Sequence, residues 1–125
     1  MELIPEGIRQ YDRRKHARVV KDLFTVYATP EPFQEGLFKT ENISAAGILY
    51  RSQSPMKVGT AMNLNIHLPD TINPIPCEAR VVRSEVNRHK ALVYDIGLAF
   101  TRMADLDKRQ LIGCLLTQDD FYLFR

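Results

Sequence analysis

Ala61-Met62-Asn63-Leu64-Asn65-Ile66-His67-Leu68 alternates without a break, with Met62, Leu64, Ile66 and Leu68 on one side and Asn63, Asn65 and His67 on the other. A period of two belongs to a strand with one dry face and one wet face. Downstream, Pro69-Asp70 to Pro74 reads as a turn, with Pro76 at a strand start. Ile75, Cys77, Ala79 and Val81 then alternate with Glu78 and Arg80. Asn87 to Lys90 is a turn, and Leu92, Tyr94, Ile96, Leu98 and Phe100 alternate through another strand. Upstream, Gly47–Arg51 reads as a strand followed by a loop from Ser52 to Gly59, and Leu37–Ile43 as a strand before it. Leu23–Ala28 is aromatic and β-branched and ends at the breaker Pro30-Glu31-Pro32.

One segment departs from this pattern. Asp105 is a plausible N-cap, and Leu111, Ile112, Leu115 and Leu116 form an apolar face at helical spacing. Six short strands at hairpin spacing and one late helix predict an all-β fold: a six-stranded antiparallel β-barrel with a C-terminal α-helix over an open end. The predicted organisation is an arm over residues 1–12, the barrel and helix over 13–117, and an apolar tail over 118–125 containing Phe121, Tyr122 and Phe124.

Composition bounds the function. The 125 residues are 45% hydrophobic and 26% charged with a net charge of +2. These are globular values, without the basic excess of a nucleic-acid packager. No apolar run approaches the ~18 residues of a membrane span. The N-terminus lacks the pattern of a signal peptide. Two cysteines, Cys77 and Cys114, are too few for a disulfide scaffold and read as small apolar residues in a reducing cytoplasm. His16, His67 and His89 have no metal-ligand spacing, so no metal or cofactor is expected. No nucleophile–base pair, paired-carboxylate motif or phosphate-cradling glycine loop appears, so the chain reads as a non-enzyme.

The charge is unevenly placed. Arg9, Arg13, Arg14, Lys15, Arg18 and Lys21 face a single carboxylate, Asp12. Within this run Arg14 and Arg18 form an Arg-x-x-x-Arg, and about two dozen residues later Asn42-Ile43-Ser44-Ala45-Ala46-Gly47 forms an Asn-x-Ser-x-x-Gly. Each pattern alone is weak. Both together, in this order and inside an all-β chain of this length, resemble the PilZ family of cyclic di-GMP (c-di-GMP) receptors. Val81-Val82-Arg83 and Ile96-Gly97-Leu98-Ala99-Phe100 resemble the family's late strands, so the likeness covers roughly residues 9–117.

The resemblance implies a c-di-GMP receptor whose ligand contacts are Arg14, Arg18, Asn42, Ser44 and Gly47. Arg13 is a further candidate, stacking on a second ligand copy, and Arg83 another on a late strand. The chemistry suits these residue types. A guanidinium binds phosphate in a bidentate fork, donates to guanine O6 and N7, or lies over a purine. The family often has Asp at the position of Asn42, and an amide offers one acceptor oxygen where a carboxylate offers two. The Ser44 hydroxyl can reach a base or its own turn. Gly47 allows a positive φ or a close approach of the ligand.

The implied mechanism is a change of arm conformation on binding, read by a protein effector, with homo-oligomerisation open. Two rival readings are an adaptor of PilZ type that binds proteins without nucleotide, and a small nucleic-acid-binding barrel. The first gives no reason for the five motif residues to occur together. The second lacks a basic stripe interleaved with aromatics.

Overall fold

A computed structural model describes residues 22–69 and 71–117. The predicted arm, the tail and the arginines Arg13, Arg14 and Arg18 lie outside the described residues. Six strands follow in order: β1 (Phe24–Pro30), β2 (Phe33–Ile43), β3 (Gly47–Ser52), β4 (Ala61–His67), β5 (Ile75–Val86) and β6 (Tyr94–Met103). They close into an antiparallel barrel in the order β1-β2-β3-β6-β5-β4, and helix α1 (Asp105–Thr117) follows. Closure pairs every strand on both sides, so no edge of backbone donors and acceptors is left open.

The alternating residues fill the interior. Ile43, Ile48, Ile66 and Ile96 are completely buried, and Phe38 stacks on Tyr50 with ring centroids 3.9 Å apart. Burial, with Tyr27 adding to it, raises the Tyr50 hydroxyl above its ordinary pKa. Inward-facing threonines keep their hydroxyls bonded, as Thr29 does by donating to the Pro32 carbonyl at 2.8 Å. Met62 lies in the core, with Met56 and Met103 packed against it.

Several boundaries differ from the expected ones. β2 begins at Phe33 rather than Leu37, because Pro30 pairs directly with Phe33 and the expected breaker is a tight hairpin turn with a cis Glu31–Pro32 peptide. β5 continues five residues past Val81, and β6 starts at Tyr94, leaving Leu92 in the preceding turn. Asp105 is the first helical residue rather than the cap, since Lys108 N–H already bonds to the Ala104 carbonyl at 2.9 Å. Both Asp105 and Asp107 still sit at the positive end of the helix dipole. Leu111 and Leu115, one turn apart, are buried and anchor α1, whereas Leu116 is exposed. The apolar helix face is therefore narrower than the four leucines and isoleucines suggested.

Cys77 is buried and Cys114 half-buried, both as free thiols. Burial pushes the Cys77 thiol up to about 12, and Asp107 and Glu78 add to the shift, so it is a poor nucleophile.

Strand direction puts four features at one end of the barrel: the chain entry at Leu23, the β2–β3 turn, the β4–β5 connection and α1. The basic segment therefore joins the fold at the end that carries Asn42 to Gly47.

Candidate functional site

The β2–β3 turn is built by its own polar groups. Ser44 Oγ accepts from Ala46 N–H at 3.1 Å, and Ser44 N–H donates to the Gly47 carbonyl at 2.9 Å. The Ala46 carbonyl accepts from Phe100 N–H at 2.8 Å, tying the turn to β6. Ser44 is only 2% exposed. Of the two partners expected for it, a base or its own turn, the hydroxyl takes the turn and satisfies an N–H that the tight reversal would orphan.

Gly47 has a different reason for being glycine than either expected one. Its φ is not positive, since Gly59 is the one described glycine in that region. A Cβ at Gly47 would lie 2.0 Å from the Leu98 carbonyl oxygen. The close approach is to β6, not to open space where a ligand would lie.

Asn42 lies on the outer face of β2, half-buried. Glu41 bulges out of the β2–β3 ladder, and this shift puts Asn42 opposite Leu49 on β3. Leu49 faces Gly97 on β6, and Gly97 faces Arg83 on β5, whose own register is shifted at Val82. One outer row thus runs Asn42, Leu49, Gly97, Arg83 across four strands. At about 4.8 Å per strand, Asn42 and Arg83 stand ~14 Å apart. Between them the floor is low, with Leu49 and Gly97 flanked by Gly47 and Ala99. Polar side chains bracket a shallow apolar floor on which a flat ring can lie.

The root of the basic segment is fastened beside this row. Leu23 N–H donates to Thr40 Oγ1 at 2.9 Å, and Thr40 N–H donates to the Leu23 carbonyl at 3.1 Å. Thr40 is two residues from Asn42.

The model of the PilZ domain matches residues 12–118. The chain belongs to the PilZ domain family. The Bacillus subtilis inhibitor of motility MotI/DgrA is 26% identical with a TM-score of 0.70, covering 85% of this chain and 51% of its own. The PilZ domain of Escherichia coli YcgR, solved with c-di-GMP, is 11% identical with a TM-score of 0.68, covering 90% and 98%. The K. pneumonia MrkH–c-di-GMP complex is 18% identical with a TM-score of 0.64, covering 89% and 52%. At these identities YcgR and MrkH share the fold. The chain spans about half the length of MotI/DgrA and MrkH. No curated protein sequence matches it significantly.

In this PilZ barrel Asn42 and Arg83 share one face, while Ser44 and Gly47 shape the turn beside it. Arg83 is half-exposed, and its Nε donates to Glu85 Oε1 at 2.8 Å. Residues that carry no local motif join the same face. Arg51 lies between Glu41, at 3.4 Å, and Asp95, at 3.5 Å. A cleft of about 310 Å³ opens along the β5–β6 end, lined by Arg51, Arg83, Arg88, His89 and the carboxylates Glu85 and Asp95. Leu49 and Arg51 escape a reading by motif, and Gly97 is marked only as part of a late strand, because register alone brings them to Asn42.

Among the described residues no cluster of three or more His, Cys, Asp or Glu is arranged to hold a metal ion. No described helix is long and apolar enough to cross a membrane.

Proposed function

We propose that this PilZ protein is a c-di-GMP receptor, acting by binding rather than catalysis, in the cytoplasm. The observation that carries the reading is the row Asn42, Leu49, Gly97, Arg83 beside the anchored root of the basic segment. One guanine lies on the Leu49–Gly97 floor, with its polar edge toward Asn42. Arg83 faces the ligand from the far side. Arg18 lies five residues before Leu23 and Arg14 nine, so at ~3.6 Å per residue both come within reach of the row. Their guanidinium groups take the phosphates and the exposed purine face, and Arg13 stacks on a second copy. Ser44 and Gly47 then contribute mainly by holding the turn that aims Asn42.

The ligand-binding unit is residues 13–117, with 1–12 as an arm and 118–125 as a tail. Neutralising the arginines draws the arm onto the barrel, and the composite surface is read by a protein effector. The c-di-GMP complexes of YcgR and MrkH support the choice of ligand.

Titration calorimetry with c-di-GMP on the wild type, Arg14→Ala and Arg18→Ala tests this. Micromolar or tighter binding is expected, with at least a tenfold loss, ~1.4 kcal/mol, in each variant. Absence of wild-type heat overturns the receptor reading, and equal affinity in all three proteins removes the arginines from the site.

A further inference from the structure

On the side of the barrel away from the Leu49–Gly97 floor, β2, β1 and β4 present an outer face of a different kind. Register gives three consecutive rows: Lys39, Phe24, His67; then Leu37, Val26, Asn65; then Glu35, Ala28, Asn63. Phe24 in the first row is 44% exposed and Leu37 in the middle row 58%, beside half-buried Val26, so an open apolar strip crosses this face. The face also has an internal symmetry. Reversing it end for end about the middle row exchanges Lys39 with Glu35, a cation for an anion, and Phe24 with Ala28, a large side chain for a small one.

We propose that this face binds a second copy of the same chain, through a two-fold axis lying across the strands at the Leu37–Val26 row. Such an isologous contact places each residue against its mirror position. Lys39 of one copy meets Glu35 of the other, twice. Phe24 of one copy fills the space over Ala28 of the other, twice, while Leu37 and Val26 each meet their own equivalents. A two-fold axis running along β1 would instead set Lys39 against His67 and Glu35 against Asn63, with no charge pair formed, so the charges also choose the orientation. Within one copy Lys39 has Asp22 at 3.9 Å, but both side chains are about two-thirds exposed and the pair is weak. Lys39 is free to turn to Glu35 of the second copy.

The three rows cover only ~14 Å along the strands and ~10 Å across them. That is far below the ~800 Å² per partner of a stable complex. The dimer is therefore weak and concentration-dependent.

Sedimentation equilibrium of the full chain, from about 10 μM to about 1 mM, tests the proposal on this scale of association. A reversible monomer–dimer equilibrium is expected. Glu35→Lys and Lys39→Glu each place like charges at both symmetric contacts and weaken the dimer at least tenfold, and the double exchange restores it. Leu37→Cys, at an exposed position, gives a disulfide between the two introduced cysteines under mild oxidation, identified by mass spectrometry. A wild type that stays monomeric to the top concentration overturns the proposal. So does a dimer indifferent to the single exchanges, or one that the double exchange fails to restore. Binding of c-di-GMP is measured separately and does not enter these outcomes.

Discussion

The β2–β3 turn and the β5–β6 turn use the same local device with opposite tertiary consequences. In the first, Ser44 Oγ accepts from Ala46 N–H. In the second, Asn87 Oδ1 accepts from His89 N–H at 2.8 Å and Lys90 N–H at 2.9 Å. Each polar residue is buried, at 2% and 7% exposure, and each closes its turn with a backbone bond, Ser44 N–H to Gly47 O and Asn87 N–H to Val93 O. The difference lies in what presses on the turn from outside. The first is clamped against β6, through Phe100 N–H and the Leu98 carbonyl, and tolerates no Cβ at Gly47. The second ends in open solvent, and Leu92, 81% exposed, is held at φ 64° where glycine would be at ease. The glycine therefore stands where packing demands it, not where the backbone angle would favour it.

The sharpest way to break this contrast is Gly47→Ala. The added Cβ meets backbone rather than the end of a flexible side chain, so β3 and β6 must separate. A loss of about 3 kcal/mol is expected, the upper range for overpacking, measured by urea denaturation. A stability unchanged within 0.5 kcal/mol, roughly the scatter of surface substitutions, would return Gly47 to a direct ligand role. This outcome also governs how motif variants are read. Lost c-di-GMP binding in a Gly47 variant reports the clamp first, and Asn42 or Arg18 variants are the ones that report contacts.

Asn87→Ala comes next. It removes the two bonds that shape the turn and a third, from Asn87 Nδ2 to Asp95 Oδ1 at 2.9 Å. Asp95 keeps Arg51 nearby, which limits the damage. About 2 kcal/mol should be lost, from three bonds each contributing ~1 kcal/mol less what water recovers. If the loss is smaller than that of Ser44→Ala, the two turns are not equivalent devices.

The sequence carried some of this openly. Alternation at Met62–Leu68 and Ile75–Val81 was legible because each inward residue is apolar and each outward one, Pro76 aside, is polar. The start of β2 was hidden because Phe33, Gln34 and Glu35 are all exposed on a hairpin that extends past the core, so only backbone pairing makes it a strand. The motif marked Asn42, Ser44 and Gly47, and Ser44 takes the turn partner expected of it, but no pattern in the chain reveals that Gly47 is pressed against the Leu98 carbonyl of β6. The likeness marked the two ends of the row, Asn42 and Arg83, but not the register that joins them. It depends on bulges at Glu41 and Val82, and an extra residue in a strand leaves no signature in hydrophobic pattern.

Leu92→Gly is the gentlest test and the one with the opposite sign. A left-handed residue with a Cβ costs ~1–2 kcal/mol relative to glycine. Glycine returns ~0.5–1 kcal/mol of that as extra freedom in the unfolded chain. Leu92 is mostly exposed, so little apolar burial is lost in the exchange. A net gain of about 0.5–1 kcal/mol is expected in the denaturation midpoint at unchanged slope, with c-di-GMP affinity unaltered. Leu92→Asn, which tolerates the same φ without the entropic cost, should match or exceed it. If both substitutions destabilise, Leu92 is anchored by contacts that its exposure does not suggest, and the two turns differ less than their surroundings imply.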